Sequence, residues 1–360
     1  MKDLKTIFES FCAEGSWLDA SAFGSGHIHN TYLVRTTEHD RPDYVLQRIN
    51  HHIFPDVDKL MHNIMLVTSH MEKKADKGNE RQLLKVYPCA DGRPYYRHPE
   101  KGYWRLYNRI DGACYNQLPH TGLAREAGRA FGQFIKDLSD LPVDDVATVI
   151  PGFHHLGKRY ESLCQAVADD PIGRVAGAEK ELTCAHENYA RLQVVTDKQE
   201  SGEVPVRVTH NDTKLNNVIF DGHDRAICVI DLDTVMPGLT IYDFGDAIRT
   251  LANTAAEDEP DLQATGFSMP AFRGFADGFM GTAGPMLEPA EVQLLPLSAP
   301  YITCIMAIRF LTDFLEGDHY YPVSSSNHNL VRCRSQFRLA ECMWQVLQEC
   351  EDHILQTYYE

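Results

Sequence analysis

The chain is 360 residues long, and its 34 Lys and Arg against 51 Asp and Glu leave a formal charge of −17. That balance argues against nucleic acid or an anionic membrane surface as the main partner, but not against nucleotides, where a metal and a few cations decide locally. The length buries a large core and implies two domains, or one lobe with an elaborated second one.

Leu4, Ile7, Phe8 and Phe11 fall on one side of a short amphipathic helix within residues 3–13. This segment lacks the uninterrupted apolar core of a signal peptide, and no run approaches membrane-spanning length. The ten cysteines form no CxxC pair, and several sit in apolar runs, such as Cys228 and Cys304. A soluble cytoplasmic protein with free, mostly buried thiols is the expectation. A short strand, Gly24-Ser25-Gly26 and a second strand from Thr31 follow. Two glycines around a serine let backbone N–H groups approach a nucleotide's phosphates, although any tight hairpin also uses glycine.

The turn HDRPD (39–43) leads into a third strand, Tyr44 to Asn50. From Asp56 to Lys73, the residues Val57, Leu60, Met61, Ile64, Val67 and Met71 recur at helical spacing. LLKVYPC, YYR and YWRLYNRI complete a small antiparallel sheet, and the boundary falls near Asn108–Gly112, dividing the chain into 1–109 and 110–360. The remainder reads mostly helical. Leu123, Ala127, Phe131, Phe134, Ile135 and Leu138 predict a helix over 121–140. Further helices are predicted over 178–195, from Ser268-Met-Pro270 onward, over 289–316 with a break near Pro296 and Pro300, and over 330–356.

The chemistry concentrates in VTHNDTKLNNVIFDGHDRAICVIDLD, Val208 to Asp233. Asp212 is placed to accept the proton of an attacking hydroxyl, and Lys214, two residues on, stands where kinases often keep a lysine near the transferring phosphoryl group. Asn217 lies five residues after Asp212, and Asp231 fourteen beyond it, past a predicted hairpin. An amide and a carboxylate are the hard oxygen donors that Mg2+ takes beside nucleotide phosphates. Asp233 fits either a second metal contact or a supporting position. Asp243-Phe244-Gly245 spells a kinase metal motif but lies 31 residues past Asp212. Tyr242 to Asp246 is therefore expected as a loop whose carboxylates cap a helix and brace the catalytic loop. His210 is expected to support that loop by hydrogen bonding. The seventeen histidines show no zinc spacing, so His27/His29, His51/His52 and His154/His155 are expected to be solvated or core residues.

HxDxxxxN followed by IDxD resembles the aminoglycoside phosphotransferase and choline kinase superfamily, small-molecule relatives of the protein kinases. VTHNDTKLNN, IDLDTVMPG, YDFGDAIR, GSGHIHNTYLV and RFLTDFLEGDHYY resemble one branch closely, the N-acetylhexosamine 1-kinases. The resemblance implies an α+β, two-lobed protein-kinase-like fold. Residues 1–109 would be a nucleotide-binding lobe with a small antiparallel sheet, and 110–360 a mostly helical catalytic and substrate-binding lobe. It implies ATP and Mg2+, an N-acetylhexosamine acceptor phosphorylated at its anomeric hydroxyl, and no membrane or nucleic-acid partner. Gly24, Ser25 and Gly26 would face the nucleotide, and His27, Arg309 and Tyr320 the sugar. Most relatives carry Lys or Arg at the position of Gln47, which holds the nucleotide's phosphates. Here a neutral amide stands there, and Lys214 with magnesium is expected to supply the missing charge. Kinases of aminoglycosides, choline or homoserine, and a catalytically inactive nucleotide-binding regulator, remain the alternatives.

Overall fold

The computed structural model describes residues 2–24, 28–37, 43–74 and 82–359. It is a mixed α+β protein, with an antiparallel sheet in the N-terminal region and a helical C-terminal part. Two compact units are present: 1–113 with 140–150 and 219–237, and 114–139 with 151–218 and 238–360. The first unit thus takes in two later segments besides the N-terminal 113 residues.

In the first unit, α1 (Lys2–Phe8) precedes β1 (Trp17–Ala22), β2 (Asn30–Thr36) and β3 (Tyr44–Ile49). After α2 (Val57–Lys74) come β4 (Val86–Tyr87), β5 (Tyr96–His98) and β6 (Gly102–Asn108). The sheet order is β1-β2-β3-β6-β4, with β5 also on β6. Ile7, Phe8 and Phe11 of the N-terminal segment pack with Val34, Tyr44, Leu46, Trp104 and Leu106, the apolar alternation of three strands. All six apolar residues expected to line α2 are buried. Antiparallel pairing sets Thr31 opposite Gln47, and Gln47 opposite Arg105. A hairpin, Val218–Phe220 with Ala226–Val229, bridges to Ala113 through Phe220.

The second unit contains α3 (Thr121–Asp137), α4 (Leu156–Asp169), α5 (Glu179–Glu200), β7 (Arg207–Thr209), α6 (Thr240–Leu251) and α7 (Met269–Ala283). They are followed by α8 (Pro289–Glu316), α9 (His328–Gln345) and α10 (Leu347–Tyr359). Ser268 caps α7, its side chain accepting from Ala271 N–H. α3 and α7 approach so closely that a Cβ on Gly128 would lie 2.1 Å from the Phe275 carbonyl oxygen.

Three helical expectations are corrected. Residues 242–246 are not a loop but belong to α6, every residue of which from Thr240 to Arg249 is buried. Its apolar residues Ile241, Phe244, Ile248 and Leu251 recur at helical spacing, and its charged residues Asp243, Asp246 and Arg249 are buried with them. α8 runs unbroken through Pro296 and Pro300. Packing on α4, α6, α9 and α10 outweighs the backbone hydrogen bonds that the prolines remove. It is also long and apolar enough to cross a bilayer, contrary to the sequence expectation, but 83% of that stretch is buried in the protein and it serves as a core helix. Finally, 330–356 is two helices. Val346, at φ −111° and ψ 11°, leaves helical geometry and closes a short turn onto the Met343 carbonyl.

Candidate active site

The candidate catalytic loop, in the second unit, follows β7, and its backbone is held from α6. The Asp243 carboxylate accepts the N–H groups of His210 (2.8 Å) and Asn211 (2.6 Å). Asp246 accepts from Thr213 N–H at 3.1 Å, and the Thr213 hydroxyl donates to the Asp243 carbonyl at 2.6 Å. These bonds hold Asn211 in the left-handed region, φ 64°. Burial pushes the Asp243 carboxyl up to about 6, against the opposing pull of His210 and the two N–H donors. The bracing expected of these carboxylates is present, delivered from a helix. His210 is buried edge-on to Phe131 and Phe134, and its Nδ1 accepts from Asp212 N–H at 3.2 Å.

On that scaffold Asp212, Lys214 and Asn217 come together. Lys214 Nζ lies 2.8 Å from Asp212 Oδ1. Asn217 Nδ2 donates to the Asp212 carbonyl (2.8 Å) and to its Oδ2 (3.1 Å). Burial works to raise the Asp212 pKa, but Lys214, His210 and Asn217 prevail and hold it below the usual carboxylate value. Because the Asn217 amide nitrogen is turned onto Asp212, its carbonyl oxygen is the atom left to serve a cation. That orientation suits a hard metal ion.

Farther along the second unit, the Arg309 guanidinium stands 5.0 Å from the Phe153 ring centroid, 5.7 Å from Tyr320 and 5.5 Å from Tyr321. Burial and the neighbouring Arg309 push Arg159 down to about 10. Beside Phe153, His154 is buried and its Nε2 lies 2.9 Å from the Asn211 carbonyl. A carbonyl only accepts, so Nε2 carries the proton. Burial pushes His154 down to about 4, which keeps it neutral. Arg309 thus connects, through Phe153 and His154, to the residue preceding Asp212. No local pattern signals this, since residues 154 and 211 are brought together only by the fold.

In the first unit, Gly24 has φ 79° with open space where a Cβ would stand. Ser25, Gly26 and His27 lie outside the described residues, as does most of the expected turn at 39–43. Asp231 is exposed and left-handed (φ 62°), and opens a single helical turn, Leu232–Thr234. Asp233, expected among the metal ligands, has both oxygens engaged by protein. Arg105 reaches them at 2.5 and 2.9 Å, and His29 Nε2 contacts Oδ2. Burial opposes ionisation of Asp233, yet Arg105 and His29 hold its pKa far below the carboxylate range. Asp233 is an anchor for Arg105, with both carboxylate oxygens taken by side chains of its own unit. Gln47 also meets this arginine: its Oε1 accepts from Arg105 Nε (2.9 Å) and Nη2 (2.6 Å). Arg105 went unnoticed in the sequence. Its only mark is a charge inside the apolar strand YWRLYN, where β6 buries residues 104 to 107.

A model of the "Phosphotransferase enzyme family" matches residues 19–275. Among solved structures, an aminoglycoside phosphotransferase from Alicyclobacillus acidocaldarius aligns at TM-score 0.63 with 11% identity, over 98% of this chain and 96% of its own. A microcompartment-associated aminopropanol kinase aligns at TM-score 0.63 with 18% identity, over 97% of this chain and 98% of its own. An amicoumacin kinase in complex with AMP-PNP, Ca2+ and its ligand aligns at TM-score 0.55 with 12% identity, over 89% of this chain and 87% of its own. At these identities the alignments establish a shared fold.

Proposed function

Because the chain belongs to the phosphotransferase enzyme family, we propose that it is an ATP-dependent kinase of a small-molecule alcohol, and that its acceptor is the anomeric hydroxyl of an N-acetylhexosamine. The observation that carries the reaction type is the bonded trio Asp212, Lys214 and Asn217 on a loop fixed from beneath by Asp243 and Asp246. Asp212 orients and accepts the proton of the acceptor hydroxyl as its oxygen attacks the γ-phosphorus and ADP departs. Its lowered pKa makes it a weak base, which suits an anomeric hydroxyl, more acidic than an ordinary alcohol. Lys214, with a side chain 42% exposed, is placed to leave Asp212 for the phosphoryl oxygens once nucleotide arrives. Asn217 and Asp231 would hold Mg2+, which supplies charge neutralisation at the phosphates when bound. The amicoumacin kinase complex, with its nucleotide analogue and divalent ion, supports that assignment.

Gly24, Ser25 and Gly26 are assigned to the phosphates, and His27, Arg309 and Tyr320 to the sugar. Arg309 and Arg159 together disfavour the cationic acceptors named for the aminoglycoside and aminopropanol enzymes. Against an inactive regulator stands Arg105, a cation held on Gln47. Phosphorus NMR of protein, ATP and Mg2+ with an acceptor panel tests the reading. The expected product is an acid-labile glycosyl phosphate from N-acetylglucosamine or N-acetylgalactosamine. Phosphate esters only from choline, homoserine, aminopropanol or kanamycin would replace the acceptor assignment, and no product from any acceptor would end the kinase reading.

A further inference from the structure

Arg105, Asp233 and His29 form a cluster of buried ionisable groups to which the reaction above gives no part. Arg105 is 1% exposed, and its guanidinium is divided between the Asp233 carboxylate and the Gln47 amide oxygen. Gln47 in turn donates from Nε2 to the Thr31 hydroxyl at 3.0 Å on β2. His29 Nδ1 accepts from Asn50 N–H at 3.0 Å, so its Nε2 carries the proton and donates to Asp233. The Tyr107 ring lies 5.2 Å from the guanidinium carbon. One arginine therefore ties β2, β3, β6 and the 232–234 turn together, and Asp231 stands at the start of that turn.

A buried ion pair is weak evidence for stability, because desolvation offsets most of the attraction and apolar residues of equal volume do as well. What it does supply is a fixed geometry. We propose that Arg105 is a positioning residue for the metal–nucleotide complex: held against Gln47, it supplies from β6 the cation that β3 lacks, and through Asp233 it sets the turn that presents Asp231. The proposal rests on the kinase reading and on Asp231 as a metal ligand.

Arg105→Gln, compared with the double variant Arg105→Gln/Gln47→Lys, tests it. The geometry makes the second change a rescue, since a lysine ammonium at position 47 would stand where the amide oxygen now touches the guanidinium. The readouts are the Kd for AMP-PNP with Mg2+ by calorimetry, the Mg2+ half-saturation, the acceptor KM and Tm. Arg105→Gln is expected to weaken Mg2+–AMP-PNP binding by about tenfold or more, with the acceptor KM unchanged, and the double variant to recover most of the loss. If Arg105→Gln does not fold, Arg105→Lys, which keeps the charge and loses the fork to Asp233 and Gln47, should show a smaller weakening of binding in the same direction. Wild-type-like Kd and half-saturation in a folded Arg105 variant, or a double variant that regains Tm without regaining affinity, would overturn the proposal. Wild-type protein that binds no Mg2+–nucleotide would instead overturn the kinase reading, and this inference with it.

Discussion

Asp243→Asn separates what holds the catalytic loop in shape from what holds the protein together. The Asp243 carboxylate, fully buried, accepts two backbone N–H groups, those of His210 and Asn211. An asparagine keeps one acceptor oxygen and turns an NH2 toward the other donor. Losing one charge-assisted bond and orphaning a buried N–H costs about 2–4 kcal/mol. The opposing effect is comparable. Burial lifts the Asp243 carboxyl from 3.8 to about 6, so its ionised form above that pH costs the fold about 3 kcal/mol, a cost the neutral amide avoids. The sign follows from the raised folded-state pKa: the group's stability is full below 3.8 and is lost as pH rises through about 6. At pH 7.5 the two effects nearly cancel, leaving a net change within about 1–2 kcal/mol. Asn211, however, loses one restraint on its left-handed backbone, and Asp212 is the next residue. A displacement of order 1 Å there costs about a hundredfold in rate. Urea midpoints at pH 5 and 7.5, with single-turnover phosphoryl transfer, check both halves. The variant should show almost unchanged stability at pH 7.5, a flatter stability–pH profile and turnover down by roughly ten- to a hundredfold. Turnover within twofold of wild type would refute the bracing argument. A large rise in Mg2+ half-saturation at unchanged rate would make Asp243 a metal contact instead.

Asp212→Asn should lower turnover by about two or more powers of ten while leaving nucleotide affinity nearly intact, read by steady-state kinetics beside calorimetry. His154, pushed by burial from 6.5 to about 4, favours the fold fully above 6.5, and that contribution is lost as pH falls through 4. The amount is about 3 kcal/mol, and urea titrations at pH 7 and 4.5 should show a shallower loss for His154→Gln than for wild type. Gly128→Ala puts a methyl group 2.1 Å from the Phe275 carbonyl oxygen and should destabilise by about 1–3 kcal/mol, by forcing α3 off α7. Gly281→Ala, on α7 with nothing within 4 Å, should instead stabilise by up to about 1 kcal/mol, and thermal melts of the pair decide whether helix contact or glycine entropy governs.

What the sequence disclosed and what it hid divide along a physical line. α2, α3 and α7 have one face in the core and one in water, so their apolar period announces them. α6 carries a helical period too, in Ile241, Phe244, Ile248 and Leu251, but the Tyr242–Asp246 string laid across it spells a loop motif, and α4 rests on only Leu156, Leu163 and Ala166. In the site, the five-residue step from Asp212 to Asn217 is local, and the loop that joins their side chains follows from it. Arg105 is the opposite case. A strand arginine reads as solvent-facing, and Gln47 read alone is a cation gone missing. Only the β3–β6 register, which sets residue 47 opposite residue 105, shows the charge one strand away with Asp233 as its anchor. A cation on the neighbouring strand leaves no local trace, because residues 47 and 105 lie 58 apart in sequence and a single pairing step apart in the sheet. The same holds for Asp233, which the sequence leaves between a metal contact and a supporting position: only the fold shows both its oxygens taken by Arg105 and His29.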